Sequence, residues 1–340
     1  MKALRKMTPS EGLKISEAET PKIGRNDVLV RVRAASLCGT DVHIYKWHEP
    51  WSSRIKTPRT LGHEFCGDVV EIGKDVKTLA KGNFISAESH IWCNSCFQCK
   101  LGNKHVCDKM KLFGIDVDGG FAEFVSVPEQ NAWKNPKGMK PEIATLQESL
   151  GNSVYTVFSG EAKNQTFTIF GMGPTGLFST GVAKAAGAKK IIVVGDNKFQ
   201  LNIAKKMGAD VLINRFDEDV EKRITEEAPQ GADVFLDMAG AEAALQQGFR
   251  TLRRGGRATL LGLPTKPVTL EWAKDVVLKE AHINGIWGRR IWETWETMAS
   301  LLKGKLDITP VITHKLRLEE FEKAIELSTS GKAGKIVLYP

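Results

Sequence analysis

Four of the six cysteines fall within fifteen residues, as Cys93, Cys96, Cys99 and Cys107. The spacing is C-x2-C-x2-C-x7-C. Disulfides need no such crowding. A tetrahedral ion does, because four sulfurs must converge to about 2.3 Å from one centre. An iron–sulfur run would bring its fourth cysteine about three residues on and follow it with proline; here the gap is seven residues and Asp108 follows. The spacing is therefore read as a closed structural zinc site. Such a site does no chemistry. It braces a loop, about residues 90–110, that cannot order itself without the metal.

A chain of 340 residues exceeds one hydrophobic core and points to two domains. Net charge is +8, but pairs such as Lys189-Lys190, Lys205-Lys206 and Arg253-Arg254 are scattered. Clustered basic and aromatic residues are missing, so no nucleic-acid partner is expected. No stretch approaches the roughly 20 apolar residues of a membrane span. Met1 to Lys6 runs into polar sequence without an apolar segment, so no signal peptide is expected. The implied compartment is the cytoplasm, where thiols stay reduced and hold metal.

Residues 1–147 read as β-rich. Asp27 to Ala34 alternates with period two, Phe65 to Gly73 forms a second strand, and Gly119 to Val127 a third. Near residue 148 the pattern changes. Apolar runs at Thr166–Phe170, Lys190–Val194, Val211–Ile213, Asp233–Asp237, Arg257–Leu261 and His282–Ile286 are mostly separated by helical stretches. The fold class is α/β, with a six-stranded, doubly wound parallel sheet over 148–288. A Trp-rich helix and a tail, 289–340, return to the first domain.

Gly171-Met172-Gly173-Pro174-Thr175-Gly176 lies between a strand and a helix, the context in which G-x-G-x-x-G binds a dinucleotide. Gly171 allows the turn, Gly173 admits a pyrophosphate, and Gly176 lets helix and strand pack closely. An acidic residue should end the next strand and hold the ribose diol. Either Asp196 or Gly195 occupies that position. With Gly195 there, nothing bars a 2′-phosphate, and Lys198 is placed to bind one. NAD is the expected cofactor, with NADP open.

A second, open metal site is read at Cys38, His63 and Glu64. Catalytic zinc takes three protein ligands and keeps a position for substrate, whose hydroxyl it acidifies. Cys66 is assigned to packing.

Cys38-Gly39-Thr40-Asp41, Gly62-His63-Glu64-x2-Gly67-x5-Gly73, the cysteine lobe and the glycine loop, in this order, resemble the zinc-containing medium-chain alcohol dehydrogenases over essentially the whole chain. Further stretches resemble the branch of that family that oxidises the C3 hydroxyl of L-threonine: Thr40 to Trp47, Ser89-His90-Ile91, Leu150 to Val154, Gly285 to Arg289 with Glu293 to Trp295, and Ile312 to His314. The resemblance implies a GroES-like catalytic domain, a Rossmann domain, two zinc ions per chain and a homotetramer. It implies catalytic zinc held by Cys38, His63 and Glu64 with Glu148 beside it, a proton relay through Thr40 and His43, and His90 or Glu148 near the substrate. The chain departs from the family pattern at Gly195, usually acidic, and Gln200, usually arginine; both positions touch the adenosine ribose. It also departs at Asn83-Phe84 and Ser149. A polyol or 2,3-butanediol substrate, or a non-catalytic cofactor-binding scaffold, are the competing readings.

Overall fold

A computed structural model describes all 340 residues, Met1–Pro340. The chain forms two compact units. One comprises Met1–Glu148 with Ile312–Pro340, and the other Ser149–Val311.

In the first unit, the strand Asp27–Ser36 is the hub. Its inward residues Val28, Val30 and Val32 are buried with Phe65, Ile85, Val125 and Val127 in one apolar cluster. It pairs antiparallel with Phe65–Ile72, with Phe124–Pro128, and with the C-terminal strand Lys335–Tyr339. Alternating β-branched residues fit such a half-buried pleated surface. Phe65 and Phe113 stack edge to face at 5.4 Å, a preferred aromatic geometry.

The second unit is built on six parallel strands: Thr166–Phe170, Lys190–Gly195, Val211–Asn214, Ala232–Asp237, Leu252–Leu260 and His282–Gly285. Their spatial order is third, second, first, fourth, fifth, sixth. That order reverses beside the first strand, at the crevice where doubly wound sheets bind ligands. Phe170, Phe235 and Phe249 stack edge to face beneath it.

The expected return at residue 289 needs correction. The second unit runs on to Val311. The helix Glu293–Leu302 buries Thr294, Trp295, Met298 and Leu301, and Leu306 beyond it closes over Gly181 of the helix Pro174–Ala185. Its apolar face is therefore spent on the second unit, and only Ile312 onward joins the first.

Candidate active site

Three strand ends meet at one corner of the first unit. Ala35 lies opposite Phe65, and Ser36 opposite Val337. The antiparallel register therefore brings the residues just after Ser36, those just before Phe65, and Lys335 together. The ligand atoms of Cys38, His63 and Glu64 all lie within 4.8 Å of one another. Gly62 turns the chain into this corner at φ +91°, and a Cβ there would stand 2.4 Å from the Phe121 ring. Only glycine suits both demands.

Acidic groups outnumber basic ones at the corner. Cys38 N–H donates to Asp41 Oδ2 at 3.0 Å. The other oxygen, Oδ1, stands 3.6 Å from His63 Nδ1. That separation is longer than a hydrogen bond, so Asp41 acts on the ring through its charge. Burial disfavours the imidazolium, yet Asp41, Cys38 and Glu148 outweigh it and hold His63 well above its ordinary value. His63 is only 8% exposed. A buried cluster of anionic groups that draws a proton onto a histidine equally suits a divalent cation, so a thiolate, an imidazole and a carboxylate fit zinc.

Glu64 is anchored from the far end of the sequence. The Lys335 ammonium donates to Glu64 Oε1 at 2.6 Å and also to Oε2. The Ser36 hydroxyl donates to Oε2, and Leu37 carbonyl accepts from Lys335 at 3.2 Å. Burial opposes the lysine charge, but Glu64 and Cys38 prevail and hold its pKa above the usual value. Glu148 opens the helix Gln147–Val157, buried, accepting from the Ser89 hydroxyl at 2.5 Å. His90 Nδ1 lies 3.3 Å from Glu88, and Asn131 donates to the carbonyls of both Glu88 and His90. Thr40 and His43 lie on the helix Gly39–Tyr45, Thr40 half-buried and His43 exposed. Cys66 is fully buried in packing.

The sulfurs of Cys93, Cys96, Cys99 and Cys107 also gather within 4.8 Å. Cys93 Sγ accepts from the Ser95 hydroxyl and the Ser95 and Cys96 N–H groups, which draw its pKa down to about 5. Burial and the adjacent sulfurs push Cys99 up to about 12. One thiol set for charge among crowded neighbours is the donor chemistry that a cation completes.

In the second unit, Gly173 caps the helix Pro174–Ala185. A Cβ at Gly173 would meet nothing within 4 Å, whereas one at Gly176 would stand 1.9 Å from the Gly171 carbonyl oxygen. The loop thus leaves room in front of a helix N-terminus, whose first N–H groups lack intrahelical partners. A cavity of about 290 Å³ adjoins it, lined by Gly171, Gly195, Asp196, Arg215 and Gln247 among others.

The alcohol dehydrogenase GroES-like domain family matches residues 24–137, and the zinc-binding dehydrogenase family matches 174–304. The chain is 47% identical to an L-threonine 3-dehydrogenase from Thermococcus kodakarensis, covering 100% of this chain and 98% of that protein. A zinc-binding dehydrogenase from Sinorhizobium meliloti 1021, solved with NADP, superposes with a TM-score of 0.92 at 28% identity, over 100% of this chain and 99% of the other. An alcohol dehydrogenase from Escherichia coli CFT073 with NADH gives 0.92 at 27%, with the same coverage.

The chain belongs to the zinc-dependent medium-chain dehydrogenase family.

Sequence reasoning on this dehydrogenase missed Lys335 and gave Asp41 no role. Lys335 sits 271 residues from its partner Glu64. The available signal was a charged residue opening an otherwise apolar run, Lys335 to Leu338. Asn152 and Arg289, from two of the stretches that suggested threonine oxidation, form a clamp: Arg289 is fully buried and donates to Asn152 Oδ1 at 2.7 Å. At the ribose end the strand closes at Gly195, not Asp196. Lys198, 3.4 Å from Asp217, is not among the residues lining the cavity. Asn197, capping the helix Lys198–Lys206, accepts from the Phe199 and Gln200 N–H groups. The cation in the cavity is Arg215.

Proposed function

We propose that the enzyme oxidises the C3 hydroxyl of L-threonine to 2-amino-3-oxobutyrate, with a nicotinamide dinucleotide as hydride acceptor. The observation that carries this reading is the thiol–imidazole–carboxylate cluster, set in a chain matched end to end by an L-threonine 3-dehydrogenase. In this reading Cys38, His63 and Glu64, with Glu148 beside them, hold one zinc; Cys93, Cys96, Cys99 and Cys107 hold a second. When bound, the catalytic zinc supplies Lewis acidity toward an alcohol oxygen and the nicotinamide accepts the hydride.

The chain's own residues handle position and protons. Asp41 acts on His63 through its charge. Lys335 and Ser36 fix Glu64, and Ser89 fixes Glu148. The Thr40 hydroxyl accepts the substrate hydroxyl proton and hands it toward His43, three residues on along the same helix face. His43 is exposed, so the proton reaches solvent there. The loop Gly171 to Gly176, with Pro174 and Thr175 opening its helix, holds the pyrophosphate. Glu148 and His90 are the candidates for contact with the amino acid.

The sixth strand of the parallel sheet ends at an open edge, with Val277, Leu278 and Ile283 exposed around it. An unpaired edge beside apolar surface supports self-association, here into a homotetramer in the cytoplasm. All six cysteines are unpaired, as in a reducing compartment, and no helix is long and apolar enough to cross a membrane.

Initial rates on L-threonine, sorbitol and 2,3-butanediol test the substrate. L-Threonine should give the highest kcat/KM. Preference for either polyol or diol would replace the reading with another alcohol, and no turnover of any would leave a binding scaffold.

A further inference from the structure

We propose that Arg215 makes the adenosine-ribose end of this site a 2′-phosphate site, so that the enzyme prefers NADP+ to NAD+. The inference rests on the dinucleotide reading of the glycine loop and refines it.

A dinucleotide lying along the loop delivers its adenosine ribose to the end of the strand after the helix. Discrimination there is electrostatic. A carboxylate at the strand end accepts from the ribose hydroxyls and repels a phosphate; an arginine nearby attracts one. In this chain the strand ends at Gly195, which brings no carboxylate. A side chain there would also be tight, since a Cβ would stand 3.1 Å from Met172 and 3.2 Å from Leu201.

Arg215 arrives from the neighbouring strand. Gly195 pairs with Asn214, the last residue of Val211–Asn214, and Arg215 N–H donates to the Gly195 carbonyl at 2.9 Å. The backbone thus fixes the arginine directly beside the missing carboxylate, and both residues line the same cavity. The guanidinium lies over the Phe216 ring at 4.3 Å, which limits its wandering and leaves its donors available. The side chain is 47% exposed, open to an incoming phosphate.

Asp196 is the one acid in the cavity lining. Its carboxylate is 53% exposed and stands 3.8 Å from an Arg215 terminal nitrogen. That pair is surface-like, of the kind that contributes little. A dianionic phosphate, with three oxygens for a planar guanidinium, competes for the arginine on better terms.

Calorimetric titration of the zinc-loaded enzyme with NADP+ and with NAD+ tests this without turnover. NADP+ should bind more tightly. Arg215→Ala should weaken NADP+ about tenfold, the scale of one charge-assisted contact, and leave NAD+ within about twofold. Arg215→Lys keeps the charge and should restore part of the loss. Arg215 is on the surface, and retained NAD+ binding certifies the fold of each variant. NAD+ binding as tight as or tighter than NADP+ in the wild type overturns the proposal, as does an equal loss of both in Arg215→Ala. Binding of neither nucleotide by the wild type instead removes the dinucleotide reading of the glycine loop itself.

Discussion

Lys335 is the least conspicuous residue on which the candidate zinc site depends. It is fully buried, and so is Glu64. Removing one partner of a buried pair costs roughly 3–5 kcal/mol, because the other charge is left uncompensated. Lys335→Met should therefore lower the thermal stability of the zinc-free chain. A thermal melt checks this; an unchanged Tm would show that the buried pair does not hold this corner together. His43 gives a prediction in pH. Partial desolvation by its neighbours, then His48 and Lys46, hold its pKa below the ordinary value of about 6.5. It is neutral at pH 7 and gains its proton only on acidification below that value. A relay that needs the neutral ring then fails, so kcat/KM should fall in that range. His43→Asn should cost about a hundredfold, the low end for general base catalysis, and should abolish that limb. An unaltered profile would make His43 a surface residue. Cys38, His63 and Glu64 were legible because their motifs are local. Lys335 and Arg215 were not, since each acts across a strand pairing that no short stretch of sequence encodes.

The elements carry these residues through register. One antiparallel hub strand brings residues 38, 63 and 335 to a single corner, and a slip by one would turn every side chain to the opposite face. The parallel sheet was readable from its alternation of apolar runs and helical stretches, because a buried parallel strand leaves a continuous apolar run. The Trp-rich helix was misassigned for the converse reason. Amphipathic periodicity shows that a helix has a buried face, but not which unit buries it. The gathering of the four lobe sulfurs was readable because their spacing is local. The lobe's four ligands bind metal as thiolates, so zinc binding releases protons and should weaken as pH falls. Following metal release with a chromophoric chelator during acidification checks this. Release already complete near neutral pH would contradict the lobe as described.

For the whole molecule, in the proposed reading, the two candidate zinc clusters divide the work: the lobe would brace the chain and the strand-end corner would carry out the oxidation. Fold class followed from composition and pattern, since two units and a parallel sheet need only length and periodicity. Substrate did not, because a few pocket residues set it and a family shares one scaffold among several alcohols. The most direct test of a catalytic role for the strand-end corner compares L-threonine-dependent formation of reduced nicotinamide by the wild type and by Cys38→Ser, with lobe zinc and circular dichroism measured on the same samples. Cys38→Ser should keep its fold and its lobe zinc and lose turnover. A near-normal rate in that variant would contradict that role.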